Sequence, residues 1–363
     1  MERYREACGH MRVSLRSILP LFMNVFELTR ALVDVESITE NEERIGNVLF
    51  AHLETLARLH GGNVERMPVE QNRFNVLACW GDPVLTLSTH IDTVPPFFPS
   101  REDDEFIWGR GACDTKGIIA SMIFAVEQLL AEGVRGLALL FVVGEERNST
   151  GAFMAAKHPR GSKFLINGEP TENKLALGSK GALRYEIVAE GRMAHSAYTE
   201  LGESAIDKLL SALDRIRLLE LPADDLLGPS TLNIGTIGGG RAPNIIADQA
   251  RAEIMIRLVG DSRDTRAAIE KAVGGCAEAR EILEIPAVRL GSLEGFDTTV
   301  VAYTTDIPAF GGSWGQPFLI GPGTIHVAHT LEERVPKRQL VEAVDIYQRM
   351  VKQLWTQESK SAS

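Results

Sequence analysis

Two kinds of hydrophobic pattern predict an α/β protein that carries a second, smaller domain. Toward both ends of the chain, short apolar runs alternate with segments whose apolar residues recur at helical spacing. Such alternation is typical of a mostly parallel sheet with helices on both faces. In the middle, a strand, a helix, two strands and a helix follow in order, which is typical of a two-layer α+β domain. The length of 363 residues accommodates both domains.

The α/β pattern begins with two amphipathic helices and continues through buried strands. The elements predicted in the first half are helices at Phe26–Val35, Glu42–His60 and Ile118–Leu130, and strands at Phe74–Cys79, Val84–Ser88, Gly136–Val143 and Lys163–Asn167. Ser37 or Thr39 is expected to cap the second helix, because a hydroxyl oxygen accepts hydrogen bonds from N–H groups of the first turn.

The pattern changes from Leu183 onward and changes back near residue 293. The middle segment has alternating or apolar strands at Tyr185–Glu190, Thr231–Ile237 and Ala250–Leu258, with helices at Ala205–Leu219 and Arg263–Val273. The end has a strand segment at Gly311–Ile320 and a helix at Lys337–Leu354. We therefore predict a main domain over residues 19–179 and 293–363, an inserted domain over residues 180–292, and a possible extension over residues 1–18.

Composition excludes several classes of protein. The net charge of -11 argues against a nucleic-acid surface, which requires a basic patch. The four cysteines are too scattered for a disulfide framework or a CxxC metal site, so reduced thiols and a cytoplasmic location are expected: Cys8, Cys79, Cys113 and Cys276.

The sequence does not predict association with a membrane. No apolar run approaches the roughly 20 residues needed to cross a bilayer. The apolar segment at residues 17–26 follows two arginines, but Pro20 and Asn24 interrupt it and no small-residue cleavage site follows. A signal peptide is therefore not expected.

Histidines and carboxylates occur in five segments at predicted strand ends and loops. Sites in α/β sheets form where strands end, so the five segments are expected to converge. Three carboxylates and two imidazoles drawn from this set suit two zinc ions. The segments are THIDTVP with His90 and Asp92, GRGACDTKG with Asp114, GEE with Glu145 and Glu146, NGEP with Glu169, and TIHVAHTLEE with His326 and His329.

Each segment has a functional interpretation and a structural alternative. His90 and Asp92 face the same side of an extended chain, so Asp92 can orient a metal-binding His90, although the pair needs no metal. Glu145 and Glu146 can divide metal binding and proton transfer between them, or lie on a solvated loop. The glycine-rich loop around Asp114 resembles a phosphate-binding turn, but the P-loop spacing is absent.

Together, these five motifs resemble those of the zinc aminoacylase and carboxypeptidase family, which includes acetylornithine deacetylase, succinyl-diaminopimelate desuccinylase and carboxypeptidase G. The resemblance extends from about residue 24 to the end of the chain, and the motifs occur in the family's order and spacing. A phosphate-binding protein would account only for the Asp114 segment.

The resemblance implies a role for each residue of the metal centre. His90 and Glu169 would bind one zinc ion, and Glu146 and His329 the other. Asp114 would bridge the two ions through a loop with a cis Asp114–Thr115 peptide. His326 is the alternative to His329. Glu145 would act as general base and then general acid, and Asp92 would orient His90.

The resemblance also implies a role for the inserted domain as a lid and dimerisation domain. Its His195 would reach the active site of a partner subunit and stabilise an oxyanion. Asn244 would contact substrate. Arg257 would either grip the substrate carboxylate or form a salt bridge within the lid. A homodimer is therefore expected.

The reaction implied is hydrolysis of the amide bond of an N-acyl amino acid by two Zn²⁺ ions, for which Co²⁺ can substitute. The motifs are closest to those of acetylornithine deacetylase. Succinyl-diaminopimelate desuccinylase, N-acetyl-lysine deacetylase, and a dipeptidase or carboxypeptidase are the alternatives. An inactive metal-binding homologue is disfavoured, because the base Glu145 and every expected ligand are present.

Overall fold

The computed structural model describes residues 23–361, with side chains described up to residue 358. The predicted extension over residues 1–18, Cys8 and most of the apolar segment at 17–26 lie outside the described residues. The described chain forms a nine-stranded sheet and a separate four-stranded sheet, each covered by helices. The predicted fold class is confirmed. In the part of the chain that is described, no helix is both long and apolar enough to cross a bilayer.

The first part of the chain supplies most of the large sheet. Its elements, in chain order, are α1 (Val25–Val33), α2 (Glu43–His60), β1 (Asn63–Glu70), β2 (Arg73–Trp80), β3 (Leu85–His90), β4 (Arg101–Glu102), β5 (Phe106–Trp108), α3 (Gly117–Ala131), β6 (Leu137–Val142), α4 (Thr150–Lys157), β7 (Phe164–Asn167) and β8 (Leu175–Ser179).

The middle of the chain forms the small sheet and its helices, and the last part returns to the large sheet. The middle elements are β9 (Gly181–Glu190), α5 (Ala205–Arg217), β10 (Ala223–Asp224), β11 (Gly228–Pro229), β12 (Thr231–Gly239), β13 (Gln249–Leu258), α6 (Arg263–Val273), β14 (Glu278–Ile285) and β15 (Val288–Arg289). The last are β16 (Thr298–Val301), α7 (Ile307–Phe310), β17 (Gln316–Leu319), β18 (Arg334–Pro336) and α8 (Lys337–Ser361).

The large sheet is parallel at its centre and antiparallel at its edges. Its strand order is β1-β2-β6-β3-β7-β17-β8-β15, and β16 also pairs with β8. Strands β6, β3, β7 and β17 run parallel, whereas β1, β2 and β15 pair antiparallel with their neighbours. The sheet is thus more mixed than predicted, because the polar strand β1 forms a hairpin with β2 that hydrophobic periodicity does not reveal.

Helices cover both faces of the large sheet. Alternate residues of β2 point to opposite faces: Val76 packs in the core beneath α1, α2, α3 and α8, and Leu77 packs beneath α4 and α7. In the small sheet, α5 and α6 pack on one face only. That domain therefore has two layers, one of helices and one of strands. The sheet face that no helix covers lines the cavity between the two domains.

The predicted cap of α2 is wrong. The residue before α2 is Glu42, which makes no side-chain capping bond. Ser37 is buried in the segment between α1 and α2, and the hydroxyl of Thr39 donates instead to Oδ2 of Asp92 at 2.9 Å. The Thr39 side chain, which the local sequence suggests as a helix cap, is therefore occupied by a hydrogen bond to a residue 53 positions away.

Candidate metal centre

Three strands of the large sheet end side by side and lead into the predicted ligands. β3 lies between β6 and β7, and all three run parallel, so their carboxyl ends meet at one edge. His90 is the last residue of β3, Glu145 and Glu146 follow β6, and Glu169 follows β7. The next parallel strand, β17, leads into the loop that contains His329.

Asp114 lies between the two histidines. Its Oδ1 is 2.9 Å from Nε2 of His90, and its Oδ2 is 3.5 Å from Nε2 of His329. Oε2 of Glu146 is 2.9 Å from the same His329 nitrogen. Ligand atoms of His90, Asp114 and Glu146 all lie within 4.8 Å of one another. A carboxylate that directs one oxygen toward each histidine has the arrangement that a bridging ligand requires. The Asp114–Thr115 peptide is cis, as expected.

The structure places His329, and not His326, beside the carboxylates. His326 is exposed, and the hydrogen bond described for it is made by its backbone N–H to the Thr324 hydroxyl. His329 has a φ of 62°, in the left-handed region that residues other than glycine seldom adopt. Such backbone strain persists mainly where a side chain must be aimed at a functional site.

Asp92 holds both the histidine and the turn that carries the two glutamates. Its Oδ1 accepts hydrogen bonds from the N–H groups of Gly144 (2.9 Å) and Glu145 (3.1 Å), and its Oδ2 accepts one from Glu146 (3.2 Å). Nδ1 of His90 is 3.5 Å from Oδ1 of Asp92 and 3.0 Å from its backbone carbonyl. Burial is the largest influence on Asp92 and opposes its ionisation, but the hydrogen bonds with His90, Thr39 and the Glu146 N–H, together with the charge of His90, outweigh burial and lower the pKa of Asp92. Asp92 therefore positions the turn that carries Glu145 and Glu146 as well as the imidazole ring of His90.

A second buried carboxylate, Glu333, holds the loop that carries Asp114, and it was not predicted from the sequence. Its Oε1 accepts hydrogen bonds from the N–H groups of Gly111 (2.9 Å), Cys113 (3.3 Å) and Asp114 (3.2 Å). Its Oε2 pairs with Nη1 of Arg110 at 2.6 Å, and both side chains are 1% exposed. The only sequence signal is the final Glu of AHTLEE. Glu333 thereby fixes Asp114 relative to the His329 loop.

Replacing Glu333 with glutamine is expected to lower the free energy of unfolding of the metal-free protein by about 3 kcal/mol, because Arg110 is left as a buried, unpaired cation. The amide oxygen still accepts from the backbone N–H groups, but the amide nitrogen cannot accept from Arg110, so the variant loses the charge pairing together with its hydrogen bond. Denaturant unfolding followed by circular dichroism measures it.

The matched control adds Arg110→Met to Glu333→Gln. Removing both charges should restore much of the lost stability, since no unpaired ion remains. A double variant no more stable than Glu333→Gln would show that the ion pair does not hold this loop.

The site carries more negative charge than its histidines can balance. Burial raises the pKa of Glu145 well above its ordinary value, and Glu169 adds to the shift. Burial and Asp114 do the same to the pKa of Glu169, whose Oε1 has no hydrogen-bond partner among the described residues. Hydrogen bonds to Asp114 and Glu146 raise the pKa of His329 to about 10. Clustered, buried carboxylates with an orphaned oxygen fit divalent cations, which would supply the missing positive charge.

A cavity of about 510 Å³ opens from the metal centre between the two domains. Asp114, Glu145, Glu146, Glu169 and His329 line one end of it. Arg257 of β13 lines the other side, where burial lowers the pKa of its guanidinium and no charged partner acts on it among the described residues. The predicted alternative, a salt bridge within the small domain, is not observed there. The arrangement leaves a cation free to bind an anionic group.

The structure does not bring His195 and Asn244 to this cavity. Both are exposed on the small domain, on segments joined by a bridge between His195 and Ile245 and by a hydrogen bond from Ser196 N–H to the Asn244 carbonyl (3.0 Å). Nδ1 of His195 accepts a hydrogen bond from Ala197 N–H (3.1 Å). Within one chain these two residues cannot join the reaction, so their expected role requires a second subunit.

Comparison with known proteins gives consistent matches over most of the chain. A family model described as Peptidase family M20/M25/M40 matches residues 86–353. A "Peptidase M20 domain-containing protein" of Schizosaccharomyces pombe is 40% identical over 351 residues, covering 93% of this chain and 87% of its own. A protein of Aspergillus niger named "Probable carboxypeptidase" is 36% identical over 370 residues, covering 89% of this chain and 88% of its own.

The fold is shared with solved structures. A metallo-carboxypeptidase of the M20 family from Sulfolobus solfataricus superposes with a TM-score of 0.72 at 18% identity, covering 92% of this chain and 99% of that chain. At this identity the likeness shows the fold alone.

Proposed function

The chain belongs to peptidase family M20/M25/M40, and on this premise we propose that it is a dizinc carboxypeptidase that releases the C-terminal residue of a short peptide. The observation that carries the proposal is the position of Arg257. Its guanidinium lines the cavity that contains Asp114 and Glu145, and no carboxylate pairs with it among the described residues. A free cation beside a peptide-cleaving centre suits the carboxylate at the end of a chain.

The residues of the metal centre have three proposed roles: binding the cations, transferring a proton and positioning the loops. His90 and Glu169 would hold one cation, Glu146 and His329 the other, and Asp114 both. Two divalent cations, when bound, would polarise the scissile carbonyl and acidify water. Glu145 takes a proton from water and returns it to the leaving amine. Asp92 and Glu333 keep the ligand-bearing loops in place.

The partner is proposed to be a second copy of the chain, bound through the small domain. That domain exposes large apolar side chains on α5 and on the edge strand β12, among them Leu210 and Ile237. In such a homodimer, His195 of one subunit donates a hydrogen bond to the oxyanion in the other, and Asn244 contacts the substrate there.

The three described cysteines are free, which supports a cytoplasmic location.

Deacetylation of N-acetylornithine, which the motifs suggested, is the second candidate. It cleaves the same kind of bond, and its substrate also carries a free carboxylate for Arg257. N-acetyl-lysine and N-succinyl-diaminopimelate belong to the same set. The relatives described above do not bear the names of such deacylases, so the carboxypeptidase is preferred.

A substrate panel with added Zn²⁺ or Co²⁺ tests the proposal. We expect hydrolysis of dipeptides such as Ala-Phe and Ala-Leu, and loss of hydrolysis when the C-terminal carboxylate is converted to an amide, because Arg257 then has no anion to bind. Release of free amino acid is measured by mass spectrometry. Turnover of N-acetylornithine alone would establish the second candidate instead, and equal turnover of free and amidated dipeptides would contradict the role of Arg257.

A further inference from the structure

One wall of the cavity is apolar, and it is formed by the free face of the small sheet. The pairing of β13, β9 and β14 aligns Arg257, Ala182 and Ile285 in one row across the sheet. The row two residues away holds Met255, Arg184 and Leu283, and Arg184 is paired there with Glu253. Residues two apart on a strand share a face. The alternate residues pack under α5 and α6, so both rows point to the cavity, and every member except Arg184 lines it.

The opposite wall, from the large domain, is also apolar. Phe153 of α4 lines the cavity with 54% of its surface exposed, and Pro308 and Ala309 of α7 lie beside it. Leu283 is likewise 38% exposed. Large apolar side chains exposed inside a cavity, rather than scattered over the surface, are typical of a ligand-binding site, since a ligand removes them from water.

The charged groups that line the cavity beside the apolar walls are already paired, so they do not favour a charged ligand side chain. The carboxylate of Glu284 is paired with Arg266 at 2.6 Å, and Arg147 is paired with Glu40. The remaining carboxylates of the cavity belong to the metal centre.

The free cation and the apolar wall are close enough to hold one residue. Arg257 and Ile285 lie in the same row on strands separated by one other strand, which is about 10 Å at the usual inter-strand spacing. A residue whose carboxylate meets Arg257 can therefore direct its side chain between Leu283 and Phe153.

We propose that this cavity selects peptides whose C-terminal residue has a large apolar side chain, which packs between Phe153 of the large domain and Leu283 and Ile285 of the small domain. The inference rests on the proposed carboxypeptidase function and adds the substrate class. It also explains why the pocket needs both domains, since neither wall is complete alone.

Kinetics on matched dipeptides test this selectivity. With metal added, we compare kcat/KM for Ala-Phe, Ala-Leu, Ala-Gly, Ala-Lys and Ala-Asp. The expected preference for Phe and Leu over Gly is at least about tenfold, the scale on which apolar pockets discriminate. Phe153→Ser and Leu283→Ser should each lower kcat/KM for Ala-Phe by about tenfold. Both should leave kcat/KM for Ala-Gly nearly unchanged.

Leu59→Ser provides the matched control. Leu59 is 60% exposed on α2 of the large domain, does not line the cavity and lies outside the proposed dimer surface, so its replacement should leave kcat/KM for every substrate at the wild-type value. Hydrolysis without preference for an apolar C-terminal residue, or equal losses on Ala-Phe and Ala-Gly in the pocket variants, overturns the selectivity and leaves the proposed function standing. Absence of hydrolysis of any dipeptide by the metal-loaded protein overturns the proposed function itself.

Discussion

Replacing Glu145 with glutamine is expected to lower kcat by about 10²- to 10⁴-fold, the range over which a general base contributes. Glutamine has the same shape but cannot accept the proton from water. The effect should fall on kcat more than on KM, because Glu145 acts in the transition state and does not hold the substrate. Steady-state kinetics on the best dipeptide measures this loss, and metal content is determined in parallel by mass spectrometry.

Glu146→Gln is the matched comparison for Glu145→Gln. The two residues are adjacent on one turn held by Asp92, but only Glu146 lies in the group with His90 and Asp114. We therefore expect Glu146→Gln to lose metal and Glu145→Gln to retain it. Unchanged turnover of Glu145→Gln with full metal content would eliminate Glu145 as the base.

Replacing His195 with alanine is expected to lower kcat by about 10²- to 10³-fold, as loss of one oxyanion donor does in other hydrolases. The single chain places His195 on the exposed small domain, away from the cavity. The effect is therefore expected only if a second subunit delivers the histidine. A loss confined to KM would indicate that His195 binds substrate and does not stabilise the oxyanion.

Co-expression of the two inactive variants tests the shared site directly. In a mixed dimer of Glu145→Gln and His195→Ala, one site combines the intact Glu145 of one chain with the intact His195 of the other. Random pairing should restore about a quarter of the wild-type activity, because half of the dimers are mixed and each has one complete site. Activity no higher than that of the separate variants would show that His195 does not act across subunits.

The sequence by itself predicted the α/β class, the ends of the central strands and the carboxylates and histidines next to them. These features are local: a buried strand is readable from its apolar run, and a ligand that directly follows it, such as His90 after β3, is fixed by the strand's end. The resemblance then assigned roles from the order of five short motifs. It favoured a deacetylase, whereas the relatives are named for peptidase activity.

Only the tertiary structure decided which distant groups meet. Glu333 and Arg110 form a buried pair across 223 positions, and no local pattern distinguishes Glu333 from the exposed Glu332 beside it. The same holds for Arg257, which has no charged partner among the described residues, and for His195, which does not line its own chain's cavity. Hydrophobic periodicity predicts which face of a helix or strand is buried. The electrostatic partner of a charged side chain, in contrast, depends on which elements the tertiary fold packs against each other.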